Sequence, residues 1–375
     1  MKHITTALGA LALSTSLAQA GGVERSGQSI ASIFEKGNFV ELSFGRVKPK
    51  VSGSQQMTVS LASRTGAQSG AMAADYSQVG MAVKTKVNDK VDLGLIVDHP
   101  FGANVAYPLV VNTSGAYYAA LSTATLKTTA VTGIVKYRAS DNLSVYGGLR
   151  YETMSAEASI PFIAGYTAKS DTSSATGYLV GVAYEKPEIA LRVALTYNSK
   201  IKHNFTVDET LSSPAALTAA TTVNSPQSVN LEVQSGVAKD TLAFASVRWV
   251  NWSAFDISPN LYKVATSGKS LVSYDDDTIT YTLGVGRKFS DNWAGSIALG
   301  YEKSTGGYAS NLGPTDGRTS VTVGAAYTMD KVKISGGLSY IQIGDAQTTL
   351  TSTSAAGSFT SNHAVGAGMK IAYSF

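Results

Sequence analysis

Asp98-His99 is the only adjacent carboxyl and imidazole pair in this chain, and moving a proton is the chemistry such a pair performs. Neighbouring side chains on an extended strand point to opposite faces, so the two do not meet, and acid/base catalysis with a remote Ser is disfavoured. The other histidines, His3, His203 and His363, are isolated, and the chain has no cysteine. Thiolate chemistry is therefore excluded, no His/Cys spacing suits a metal, and no cofactor is expected. Asp275-Asp276-Asp277 lacks the spaced ligands and turn glycine of a calcium loop and reads as a solvated loop end. Gly284-Val285-Gly286-Arg287-Lys288 lies in a strand pattern with no helix after it, which rules out a phosphate loop. These residues predict a protein that is not an enzyme.

The cations are more informative. Lys84, Lys136, Arg150, Arg192, Arg248, Lys333 and Lys370 all fall on the polar phase of alternating runs. Arg150 and Arg248 sit far along their runs from the short turns, where an Arg not paired with Glu152 or Glu232 is able to hold a carboxylate through two parallel hydrogen bonds. The net charge of +4 is spread over 375 residues, with no basic stripe of the kind that binds nucleic acid.

The elements that must position these residues are strands. Residues 1 to 20 have Lys2 and His3, an apolar stretch from Ala7 to Leu17, and then Ala18-Gln19-Ala20, which predicts a secretory signal peptide cut after Ala20. From Asn38 onward, alternating runs are joined by two kinds of connection that take turns. Short turns fall at Asn88-Asp89, Asp141-Asn142, Lys186-Pro187, Lys239-Asp240, Asp291-Asn292 and Asp330-Lys331. Long Ser/Thr/Gly/Ala-rich loops fall near 51–75, 103–123, 159–175, 206–227, 257–275, 304–317 and 346–362. Six turns and seven loops predict fourteen strands with both chain ends on the turn side. A soluble sandwich has no reason to sort its connections by length, whereas a transmembrane β-barrel does. The final run, Val365 to Phe375, places Val365, Met369, Ile371, Tyr373 and Phe375 on one face and small or polar residues on the other, as a strand between lipid and a wet lumen requires. The prediction is an all-β antiparallel barrel at 38–375 in a bacterial outer membrane.

With fourteen strands, a terminal Phe and a segment ahead of the first strand, the chain resembles the FadL family of outer-membrane transporters for hydrophobic molecules. The resemblance rests on Trp249-Val250-Asn251-Trp252-Ser253-Ala254-Phe255, Ser290-Asp291-Asn292-Trp293, Gly324-Ala325-Ala326-Tyr327-Thr328, Gly336-Gly337-Leu338-Ser339-Tyr340 and the stretch from Tyr137 to Tyr151. It implies that residues 21–37 fold into the lumen as a hatch, with Arg25, Ile30 and Phe34 in it, in place of a disordered N-terminus. This stretch is shorter than the usual hatch and lacks the family's Asn-Pro-Ala motif. Ser26 is placed to cap a short helix carrying Ile30, Ile33 and Phe34. The resemblance also implies a wall gap where the third strand kinks. The matching residues are His99, Pro100, Phe101 and Gly102, because Pro100 has no N–H for the ladder and Gly102 no side chain. The alternative is that these four residues simply open the long loop.

The implied function is passive transport of long-chain fatty acids by loop capture, entry into the barrel and sideways exit at the kink. A water-filled porin for polar solutes and a carrier of aromatic hydrocarbons are the alternatives. The implied partners are the hydrophobic substrate, outer-membrane lipid and the barrel assembly machinery, which would read the strand ending in Phe375. The implied state is a monomer.

Overall fold

The computed structural model describes residues 22–375 apart from 213, 214 and 352, so the expected signal peptide lies outside the described residues. Fourteen antiparallel strands close into one barrel. They are β1 (Phe39–Lys50), β2 (Tyr76–Lys86), β3 (Val91–Asp98 and Gly102–Ala106), β4 (Thr123–Arg138), β5 (Leu143–Ile160), β6 (Tyr166–Ser170 and Ser173–Lys186) and β7 (Leu191–Asn198 and Ile201–Thr210), followed by β8 (Ala216–Ser225 and Ser228–Ala238), β9 (Thr241–Val250), β10 (Thr278–Lys288), β11 (Trp293–Glu302), β12 (Arg318–Met329), β13 (Val332–Ile343) and β14 (His363–Ser374). The barrel closes where β14 pairs with β1, from Phe39 opposite Ser374 to Lys50 opposite His363. No described helix is long and apolar enough to cross a membrane.

Alternation in the sequence becomes an inside and an outside. Leu149, Leu283 and Leu338 are 68%, 62% and 59% exposed, a placement that is costly in water and favourable in lipid. Tyr137, Tyr184, Trp293 and Tyr373 stand on that outer face beside the short turns, while Tyr281, Tyr301 and Tyr340 mark its other edge. Two aromatic girdles are the arrangement interfaces favour. On the inner face near the short turns, buried charges lie in pairs. Lys84 lies 2.9 Å from Asp92, which also takes Arg138, and Lys136 lies 2.6 Å from Glu185. Lys370 lies 3.1 Å from Glu41 across the closure. Breaking one such pair leaves an uncompensated charge, so together they fix the register near the turns.

Three stretches differ from the sequence reading. Segments expected as loops at 159–175 and 206–227 contain paired strand, because Tyr166–Ser170 joins β5 and β7, and Ile201–Thr210 pairs along its whole length with Ala216–Ser225. These extensions carry polar outer faces, so their composition resembles a loop. The third difference is in the N-terminal segment, where the helix is a single 3-10 turn, Ala31–Phe34, with no side-chain cap. Ser26 donates to Asp98 Oδ2 at 2.6 Å instead of capping it.

Candidate functional site

The site begins with an interruption in the wall. β3 pairs with β2 from Asp92 opposite Lys86 to Val97 opposite Met81, and there the ladder stops. On its other side β3 pairs with β4 up to Asp98 opposite Ala130 and resumes at Gly102 opposite Lys127. His99, Pro100 and Phe101 therefore stand opposite only Thr128 and Thr129, which makes a β-bulge that bends β3 away from β2. The free edges, Tyr76–Gly80 and Asp98–Gly102, are bridged again further out by Ala73 and Val105. What remains is a bounded window.

Thr128 stabilises the bend. Its hydroxyl accepts from Phe101 N at 2.8 Å and donates to Phe101 O at 2.6 Å, while His99 Nδ1 lies 2.8 Å from Thr128 O. Thr128→Val keeps the shape and strands both buried Phe101 groups, a cost of about 1–3 kcal/mol. Amide exchange at 99–102 should then speed up while β5 and β6 stay protected. Unchanged exchange would mean that other contacts hold the bulge.

The N-terminal segment fills the window. Glu24 pairs with Phe101 in antiparallel register, Gly102 N donates to Val23 O at 2.7 Å, and Arg25 N donates to Pro100 O at 2.8 Å. Arg25 also reaches both edges. Its Nε donates to Gly102 O at 2.8 Å, its backbone O accepts from Gln78 Nε2 at 2.9 Å, and its guanidinium lies 3.3 Å from the centroid of the Tyr76 ring. Such a stacked, desolvated cation contributes on the order of 2 kcal/mol. Gly22 is needed just before this point, because its φ of +59° and the Trp252 ring 2.7 Å from an added Cβ leave no room for a side chain.

Further along, the segment lies against the inner wall. Asn230 Nδ2 donates to Gly27 O at 3.0 Å, and Ile30 and Ile33 pack with Ile134, Tyr146 and Leu179. Phe34 meets Tyr146 edge-on at 5.7 Å, with Lys136 and Arg192 over its ring.

Arg248 holds the segment electrostatically. Its Nε donates to Glu24 Oε1 at 2.7 Å and its Nη2 converges on the same oxygen, while Nη1 donates to Asn230 Oδ1 at 2.6 Å and Ser228 Oγ at 3.0 Å. Burial pushes the Glu24 carboxyl up, against the pull of Arg248. Arg150, the other candidate cation, donates to Thr132 Oγ1 at 3.0 Å. Neither arginine pairs as the sequence suggested. Glu232 accepts from Ser29, and Glu152 holds His203 at 3.1 Å and Ser225. Asp98 and His99 do not bond each other, and no cluster of metal-ligating side chains occurs among the described residues.

Above the window is a narrow, partly open apolar pocket of about 70 Å³. Val23 and Ala103 line its lower end, Leu126, Met154 and Phe205 its walls, and Leu271 and Leu312 its outer end. Ala124, Ala158 and Ala168 stand side by side across β4, β5 and β6, and their small side chains leave the space free. Leu271 and Leu312 also border an outer groove formed by Tyr107, Tyr118, Phe162 and Tyr262. The apolar pocket, which reaches down to Val23, therefore adjoins a groove among the external loops whose lining mixes these aromatics with polar residues such as Lys269, Asp275 and Asn311. Trp252 closes this cluster against the kink, meeting Phe101 edge-on at 5.8 Å and Tyr274 at 5.2 Å. Burial pushes the Tyr274 phenol up, which keeps it neutral beside the pocket.

His99 to Gly102, Arg25 and Arg248 thus converge on one window. Arg150 stands apart from the segment, and Ile30 and Phe34 anchor its other end. Sequence reasoning did not single out Glu24, Tyr76, Gln78 or Trp252. Only Trp252 carried a signal, within the Trp249 to Phe255 motif.

The sequence model for outer membrane protein transport proteins (OMPP1/FadL/TodX) matches residues 28–375. No curated protein matches the chain. Among solved structures, a Pseudomonas aeruginosa FadL homologue aligns with a TM-score of 0.73 at 14% identity, covering 99% of this chain and 98% of its own. The Pseudomonas putida toluene transporter TodX aligns at 0.60 and 14% identity, covering 92% of this chain and 91% of its own. The Ralstonia pickettii toluene transporter TbuX gives 0.61 and 13% identity, again covering 92% and 91%. At these identities the likeness is one of fold.

Proposed function

Because the chain belongs to the OMPP1/FadL/TodX family of outer-membrane transport proteins, we propose that it carries long-chain fatty acids passively across the outer membrane, with the pocket as binding site and the window in β3 as exit. The observation that carries this reading is the continuity of the apolar lining. It runs from Leu271 and Leu312, which the pocket shares with the outer groove, down to Val23 in the segment that fills the window. Each methylene moved from water into such a lining gains about 0.8 kcal/mol, so a fatty chain is held inside where a polar pore would reject it. Leaving through the wall, the chain passes from pocket to lipid without crossing water. The N-terminal segment is the hatch, and it must move before the window conducts.

Arg248 favours an acid over a neutral substrate. It lies two residues before Val250, on the same inward phase, and Val250 belongs to the apolar cluster around the pocket. The pocket's own walls carry no cation. That feature favours the second reading, a neutral aromatic cargo such as the toluene that gives TodX and TbuX their description.

Cells lacking their own fatty-acid transporter should take up oleate when this chain is expressed, and the purified barrel in planar bilayers should show no large steady ion current. Large currents without oleate uptake would identify a porin. Toluene uptake without oleate uptake would favour the neutral cargo.

A further inference from the structure

Arg248 forks onto Glu24, and Glu24 directly follows Val23, which lines the pocket. We infer that Glu24 is a built-in stand-in for the head group of the cargo: the carboxylate of an incoming amphiphile displaces it from Arg248, and this exchange releases the N-terminal segment from the window. The inference rests on the transport reading above and adds how cargo is recognised and coupled to opening.

Three features of the geometry support the exchange. Arg248 is buried, so pulling Glu24 away without replacement leaves its charge with neutral partners only, Ser228 and Asn230 on the wall, and no counter-charge bonded to it. The segment therefore stays locked when nothing is bound. A ligand carboxylate at the same place keeps the charge balanced and removes that barrier. Second, both bonds from Arg248 to Glu24 end on one oxygen, Oε1, which leaves the two-oxygen fork unused. A carboxylate on a flexible chain is free to turn and engage both oxygens, a stronger arrangement. Third, the lock and the plug are consecutive residues. Val23, Glu24 and Arg25 respectively border the pocket, bind Arg248 and bridge the window's edges, so Glu24 does not move without disturbing the backbone bonds to Pro100 and Gly102.

A ligand shifts an equilibrium only through its different affinity for the two states. An acid gains Arg248 in the released state and not in the locked one. A neutral hydrocarbon of equal length fills the pocket equally in both and leaves the segment in place. The channel therefore opens for anionic amphiphiles and binds neutral ones without opening.

The chain has no cysteine, so a single reporter thiol is simple to place. Ser26→Cys in the full-length barrel, with Trp249→Phe and Trp293→Phe so that only Trp252 fluoresces, reports release by its rate of reaction with a water-soluble maleimide and binding by its emission. Dodecanoate and methyl dodecanoate are the probes. Both should change Trp252 emission, while dodecanoate alone speeds labelling by about tenfold. Adding Glu24→Gln should give fast labelling without ligand and abolish the difference between acid and ester. Binding of both probes with equal acceleration, or with none, would overturn the inference and leave the transport reading standing. If neither probe alters Trp252 emission, the transport reading fails, and the inference with it.

Discussion

Ala158→Trp should lower hydrophobe affinity by roughly 100-fold and abolish oleate uptake, because an indole at that position occupies the space a fatty chain needs. Ala158 lies between Ala124 and Ala168 on adjacent strands, and all three line the pocket. Displacing about four methylenes from the lining forfeits roughly 3 kcal/mol at 0.8 kcal/mol each, and every 1.4 kcal/mol is tenfold in affinity. Leu149→Trp, on the lipid face of the same strand, should leave binding and uptake unchanged. Unimpaired uptake by Ala158→Trp would place the route elsewhere.

The barrel was legible because its signals are local and repeated. A period of two fixes which residue meets lipid, and the sorting of connections by length fixes which end faces out. The kink was legible for the same reason: a Pro that cannot donate and a Gly without a side chain lie four and six residues past Ile96 and Ile96 still pairs normally with Ala82 and Thr132. The extensions beyond the membrane were not, because Ile201–Thr210 and Ala216–Ser225 need no apolar outer face and so lose the alternation that marks a spanning strand. Ser26 illustrates a different failure. Its spacing fits a helix cap, yet a half-buried carboxylate from the third strand is the stronger partner, and the helix shrinks to one turn. The pairing of Glu24 with Arg248 was beyond sequence reasoning altogether, since 224 residues separate them and either arginine was equally placed to bind an acid.

The central claim is that the N-terminal segment must leave the window for cargo to pass. Ser26 and Asp98 meet at 2.6 Å across the boundary between segment and wall, and the absence of native cysteine prevents mispairing. Ser26→Cys with Asp98→Cys therefore places two thiols on facing positions of segment and wall, where a disulfide pins the segment. Oleate uptake should fall by about tenfold or more when the pair is oxidised and recover when it is reduced, since pinning removes the open state without changing the barrel. The comparison is made within one protein, so misfolding cannot imitate the result. Equal uptake by the oxidised and reduced forms, with the disulfide verified, would contradict the account.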